Sequence, residues 1–378
     1  MSKNPLAQLS EQGQSVWLDN LARPMITGGA LERLIREDLV TGVTSNPAIF
    51  KNAMTSSDAY NEQIQKLAER GKPALEIYEA LAIQDIRGAA DILRPVYQRT
   101  QGADGFVSLE VSPHLARDAQ GTIDEATRLW SAVDRPNVLI KIPGTDECVS
   151  AVTECLRRGI NVNITLLFAL DAHRKMIEAY FRALEARLEN KQSVRDIASV
   201  ASFFLSRIDV KVDQALDAMI EFGSDKAEEA RAVRGRTAIT NAKLAYQMWK
   251  ELHQGGRWQK LEAAGARLQR PLWASTSTKD PGESDVKYVE SLIGPHTINT
   301  MPDETVDAFR DHGRVARTLE QNLDDARRHF DRLAALGINI DQVTAELVDE
   351  GIDKFIKPFD ALLEALEEKR KLLTKSGP

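Results

Sequence analysis

The sequence predicts an α/β chain folded as a single TIM (β/α)8 barrel. Three observations lead there. Eight short apolar or β-branched runs alternate with longer helical patterns. Polar side chains fall near the C-terminal ends of several of those runs, where such barrels carry their chemistry. No Gly-x-Gly-x-x-Gly turn follows the first run, as the alternative, an open doubly wound sheet built to hold a dinucleotide, would need. The 378 residues leave room for two domains, but no linker, repeat or low-complexity stretch divides them. One domain over residues 1–378 is the expectation, with extra helices at both ends.

The elements follow in order. Residues 15–20 (SVWLDN) read as the first strand, followed by a helix through Leu31, Leu34, Ile35 and Leu39. Residues 42–47 (GVTSNP) read as the second, and 48–93 as several helices. The third strand is 106–113, with a helix over 122–132 behind it; the fourth surrounds Lys141. Residues 160–168 are the fifth, leading into a helix over 171–189, and 197–204 the sixth. A long helical insert over 207–266 follows, broken at Gly255-Gly256. Residues 271–277 and 296–302 complete the set. Beyond 303 the pattern is helical and charged. The tail over 364–375 reads as a solvated face with i,i+4 pairs; covering the barrel mouth or forming an oligomer contact are its alternatives.

Composition narrows the function. With 43% apolar and 28% charged residues the chain resembles an ordinary globular protein. A net charge of -7 argues against nucleic acid or an anionic membrane as the main partner. Residues 1–14 lack a signal-peptide core, and no run has transmembrane length. Cys148 and Cys155 read as reduced, partly buried thiols on one helix, which suits a cytoplasmic location.

The most informative stretch is 137–145, NVLIKIPGT, with a lysine inside a buried apolar strand. Burying an ammonium is unfavourable, so a lysine there tends towards the neutral amine that Schiff-base chemistry uses. The bland reading is a lysine that snorkels out or pairs with a carboxylate. Asp19, Asn46 and Glu110 end strands one to three. Asn163 and Thr165 share one face of strand five, and Ser202 and Phe204 one face of strand six. Singly, these have structural explanations: a helix cap for Asp19, a turn residue for Asn46, a satisfied lumen pair for Asn163 and Thr165. Together at one end of one barrel, they need one another or a substrate.

The segments TSNP (44–47), SLEVS (108–112), LIKIP (139–143), NITLLF (163–168) and ASFFLSR (201–207) resemble transaldolase, and the long insert resembles the longer bacterial branch of that family. The resemblance implies a Schiff-base transfer of a dihydroxyacetone unit between sugar phosphates in the pentose phosphate pathway, with no metal and no organic cofactor. It implies Lys141 as the Schiff-base residue and Glu110 as an acid/base working through a water that Thr165 helps to hold. It implies Asp19 as the base at the hydroxyl beside the breaking bond, and Asn46 and Asn163 as ligands of the three-carbon unit. Arg207 and Ser202 match phosphate-binding positions. Many members carry an arginine after strand seven; this chain reads STSTK (275–279), so Ser277 and Lys279 are expected to serve there.

The related fructose 6-phosphate aldolase type releases dihydroxyacetone; it tends to have Gln and Tyr where this chain has Glu110 and Phe204, so transfer is expected. A phosphosugar isomerase would have no need of the buried lysine, a metal-dependent aldolase would need a His/Glu ligand set, and a non-catalytic binder would have no use for Lys141 and Asp19. Monomer and homodimer both fit the sequence.

Overall fold

The computed structural model describes residues 4–375. The expected barrel forms, with β1 (Gln14–Leu18), β2 (Val40–Val43), β3 (Phe106–Glu110), β4 (Val138–Pro143), β5 (Val162–Leu167), β6 (Ser199–Phe204), β7 (Arg270–Ala274) and β8 (Thr297–Met301). They pair in chain order as a closed parallel ring, sealed by β1 against β8 from Gln14↔Thr297 to Leu18↔Met301. The strands are Val-, Ile- and Leu-rich because helices cover the outside and side chains fill the lumen. Most end earlier than the sequence suggested, so Asp19 and Asn46 lie just past their strands, in the loops.

The N-terminal end of the lumen is plugged. Trp17 fills it, and its Nε1 donates to Asp104 Oδ1 at 2.7 Å. Arg270 ties the plug together, 3.3 Å from Asp104 and 2.7 Å from both the Ser15 hydroxyl and the Thr297 carbonyl.

Four local expectations are corrected. Leu39 is not in the helix Ala30–Glu37; it stands exposed beyond it with φ 54°. The insert has breaks besides Gly255: its helices are Ser206–Glu221, Ala227–Val233, Thr237–Gln254 and Gly256–Ala263, and Gly223 and Gly235 supply left-handed turns at the earlier two breaks. Cys148 caps the helix Val149–Arg158 rather than lying in it, and both thiols are fully buried. Burial pushes both thiols up, Cys155 to about 12.

The charged tail is also more than a solvated face. The helix Ile340–Lys375 buries Leu347, Phe355, Phe359, Leu362 and Leu366, a helical stripe laid over the C-terminal mouth of the barrel. It packs on the helices Pro47–Ser56, Asn61–Glu69, Ala74–Arg99 and Ser206–Glu221. Among the described residues, no helix is long and apolar enough to cross a membrane.

Gly42 faces the plug: a Cβ there would sit 2.4 Å from the Trp17 ring. Gly42→Ala should therefore lower stability by about 1–3 kcal/mol, the usual penalty of overpacking a rigid core, read as a lower denaturation midpoint at unchanged m-value.

Candidate active site

Register explains how the site is assembled. Side chains of one parity point into the lumen, and parallel pairing sets Glu110 beside Lys141 and Lys141 beside Asn163. Pro143 pairs with Thr165, placing the Thr165 side chain one layer nearer the mouth. A hydroxyl–amide chain runs beneath: Ser202 Oγ donates to Asn163 Oδ1 at 2.7 Å, and Asn163 Nδ2 donates to Ser108 Oγ at 3.0 Å. Asn163 is thus a satisfied lumen residue, and its amide still has one donor and one acceptor position to spare.

Lys141 is 5% exposed. Its Nζ donates to the Ser45 carbonyl at 3.1 Å and lies 3.8 Å from Glu110 Oε2, too far for a hydrogen bond. It does not snorkel. Neither Glu110 oxygen has a hydrogen-bond partner among the described residues, and neither does the Thr165 hydroxyl. Burial pushes the Glu110 carboxyl up to about 7, against the opposing pull of Lys141. Buried acceptors this close to a cation suit a bridging water.

Asp19 faces the same space across the mouth. Its Oδ1 accepts from Thr44 Oγ1 at 2.6 Å, and Thr44 also meets the Thr300 hydroxyl at 2.7 Å. It does not cap the following helix, whose cap is Ala22. Burial raises the Asp19 carboxyl and the Lys141 charge opposes the rise. Asn46 does cap its helix, its Oδ1 accepting from Ile49 N at 3.0 Å, which leaves its Nδ2 for the pocket it lines.

Arg207 opens the helix Ser206–Glu221. Its guanidinium lies 5.2 Å from the Phe204 ring centroid and 5.9 Å from that of Phe355, and its Nη1 is buried with no partner among the described residues. Asp19, Asn46, Lys141, Ser202, Phe204 and Arg207 line one pocket together.

Ser277 and Lys279 are not brought to it. Lys279 Nζ donates to Ser277 Oγ at 2.6 Å on an exposed stretch, and Lys279 lines a separate depression with Asp213 and Asp217. The cause is Ser275, whose left-handed backbone (φ 57°) turns the loop away after β7 while Ser275 itself lines the pocket. Phe355 also lines it, from the far end of the chain. Its apolar spacing was visible in the sequence, but nothing there aimed it at Lys141.

A family model described as Transaldolase/Fructose-6-phosphate aldolase matches residues 16–366. The chain belongs to that family. A "Transaldolase" of Trichodesmium erythraeum is 47% identical, covering 99% of this chain and 100% of the relative. One of Thermobifida fusca is 46% identical over 97% and 98%, and a "Transaldolase 2" of Streptomyces coelicolor 44% over 98% of each. The match spans every barrel strand after the first two residues of β1, and residues 340–366 of the helix that carries Phe355.

The raised Glu110 carboxyl makes stability depend on pH in this family member. A folded pKa near 7 against an ordinary value of 4.5 means that the neutral acid favours folding and the buried carboxylate opposes it. This stabilisation is full below about 4.5 and lost as pH rises through about 7. Glu110→Gln should remove that slope, gaining on the wild type by a few kcal/mol (order of magnitude, ~1.4 kcal/mol per pKa unit) between those limits. Denaturant unfolding of both proteins at pH 4.5 and pH 8 measures it.

Proposed function

We propose that this transaldolase carries its substrate on Lys141, working as one domain in the cytoplasm. The activity is transfer of a dihydroxyacetone unit from a ketose phosphate (sedoheptulose 7-phosphate or fructose 6-phosphate) to an aldose phosphate (glyceraldehyde 3-phosphate or erythrose 4-phosphate), in the non-oxidative pentose phosphate pathway. The observation that carries the residue assignment is the row Glu110, Lys141, Asn163 on three adjacent strands, with Asp19 facing it.

The lysine amine adds to the ketose carbonyl. Glu110, held near 7, is suited both to deliver a proton to the departing hydroxyl and to take one back, through a water bridged to the free Thr165 hydroxyl. The resulting iminium withdraws electrons from the neighbouring carbon. Asp19 then removes the proton from the hydroxyl beside the breaking bond, the carbon–carbon bond opens, and the first aldose phosphate leaves. The acceptor enters and the same steps run in reverse, with Asp19 returning the proton. In the interval Asn46 Nδ2 and the Asn163 amide hold the hydroxyls of the three-carbon unit, a role supported by Asn46 lining the pocket and by Asn163 lying beside Lys141.

Phosphate binding is assigned to Arg207, whose Nη1 lacks an acceptor among the described residues, with Ser202 nearby; a guanidinium is the natural donor for a phosphate. Ser277 and Lys279, turned away from the pocket, are left outside that role.

Borohydride added to enzyme and fructose 6-phosphate should leave a three-carbon adduct on Lys141 that disappears when erythrose 4-phosphate is present. No adduct on Lys141 with any ketose phosphate would overturn the assignment. Asp19→Asn should lower turnover by about 10²–10⁴-fold while an adduct carrying the uncleaved sugar still forms, separable by peptide mass.

A further inference from the structure

The pocket around Lys141 is too small for its substrates. Its volume is about 80 Å³, room for a few waters, whereas small-molecule sites run to about 300–1,000 Å³. One side of it is formed by the helix Ile340–Lys375, through Phe355. Phe355 sits with its ring centroid 5.6 Å from Lys141 Nζ and 5.9 Å from the Arg207 guanidinium, within the range in which a ring face attracts a cation. One turn earlier the helix carries Gly351, and a Cβ there would come 2.9 Å from Leu166 Cδ2 and 3.6 Å from Arg207 Nη1. Glycine is what lets the helix lie this low.

The barrel is shaped to receive it. Between Ile164↔Ala201 and Leu167↔Phe203, β5 holds one residue more than β6, and Leu166 takes up the excess with φ 61°. That bulge brings Leu166 against Gly351.

Besides its apolar stripe, the helix is tied down around the mouth by polar contacts and ion pairs. Lys211 meets Glu346 at 2.8 Å and Glu350 at 2.5 Å, Arg117 meets Asp349, and a ring nitrogen of His114 shares a hydrogen bond with Asp360 at 2.8 Å. All are partly exposed, and such pairs are individually weak and screened by salt.

We infer that this helix is a working wall of the active site: Phe355 positions Lys141 and Arg207 and keeps water from the bound three-carbon unit, and the helix lifts to admit sugar phosphates. The inference rests on Lys141 carrying the substrate. Loss of the unit without an acceptor needs one proton on the carbanion carbon and one water across the C=N bond, which then breaks to give dihydroxyacetone and the free amine; nothing is oxidised. Transfer also ends with water adding across C=N, so the two routes differ in protonation of the carbanion carbon; a wall that keeps bulk water from that carbon suppresses the leak, and the ratio of release to transfer reports it.

The experiment measures dihydroxyacetone release from fructose 6-phosphate without acceptor, and transfer to erythrose 4-phosphate, for wild type, Phe355→Ala, Phe355→Tyr and Lys211→Gln. Phe355→Ala should raise the release-to-transfer ratio about tenfold or more, with the Lys141 adduct still trapped by borohydride. Phe355→Tyr, which keeps the ring, should stay near wild type. Lys211→Gln should move the ratio the same way by a smaller factor, as should about 0.5 M salt on the wild type, where charge pairs are screened. A folded Phe355→Ala with an unchanged ratio overturns the role of Phe355. If that variant does not fold, unchanged ratios in Lys211→Gln and in salt overturn the lifting wall. A wild type that gives no adduct on Lys141 refutes the underlying lysine assignment instead, a distinct result.

Discussion

Everything at the mouth of this barrel answers to the difficulty of keeping a lysine and a glutamate out of water together. Lys141 and Glu110 stand at 5% and 7% exposure, 3.8 Å apart, without a hydrogen bond between them. Desolvation of two such groups exceeds what an imperfect contact returns. The surroundings make up the difference: the Ser45 carbonyl takes one ammonium proton, Asp19 and Arg207 add charge of both signs, and aromatic faces replace part of the water. A site that leaves Glu110 unsatisfied is not optimised for stability. It is one in which a proton has somewhere to go.

The two ends of the barrel handle buried charge in opposite ways. At the N-terminal end Arg270 and Asp104 are saturated by Ser15, Trp17 and backbone carbonyls, giving a rigid polar plug. At the C-terminal end the polar atoms of Glu110, Thr165 and Arg207 are left without partners among the described residues. The same chemical types are saturated at one end and, among the described residues, left with unmet donors and acceptors at the other.

How much of this was legible in the sequence depended on whether a feature was local. Period-two parity along each strand placed Asp19, Glu110, Lys141, Asn163 and Thr165 on the lumen side, and alternation of strands and helices gave the ring. The segments SLEVS and LIKIP carried the family resemblance because register sets their charged residues side by side. The loop after β7 was misjudged because one left-handed residue, Ser275, redirects it, and nothing in the string STSTK signals that turn. Phe355 was missed because its place beside Lys141 arises from packing between distant parts of the chain, where helical periodicity says only that a face is buried.

The seam between β1 and β8 bears on how the protein comes into being. Residues 14–18 cannot complete the ring until residues 297–301 exist to pair with them, and the last wall of the pocket arrives later still, with the C-terminal helix. Contacts this remote in sequence form slowly. For most of its synthesis, therefore, a nascent chain holds Lys141 without the neighbours that enclose it in the finished barrel. Enclosure of Lys141 and completion of the chain are coupled by topology.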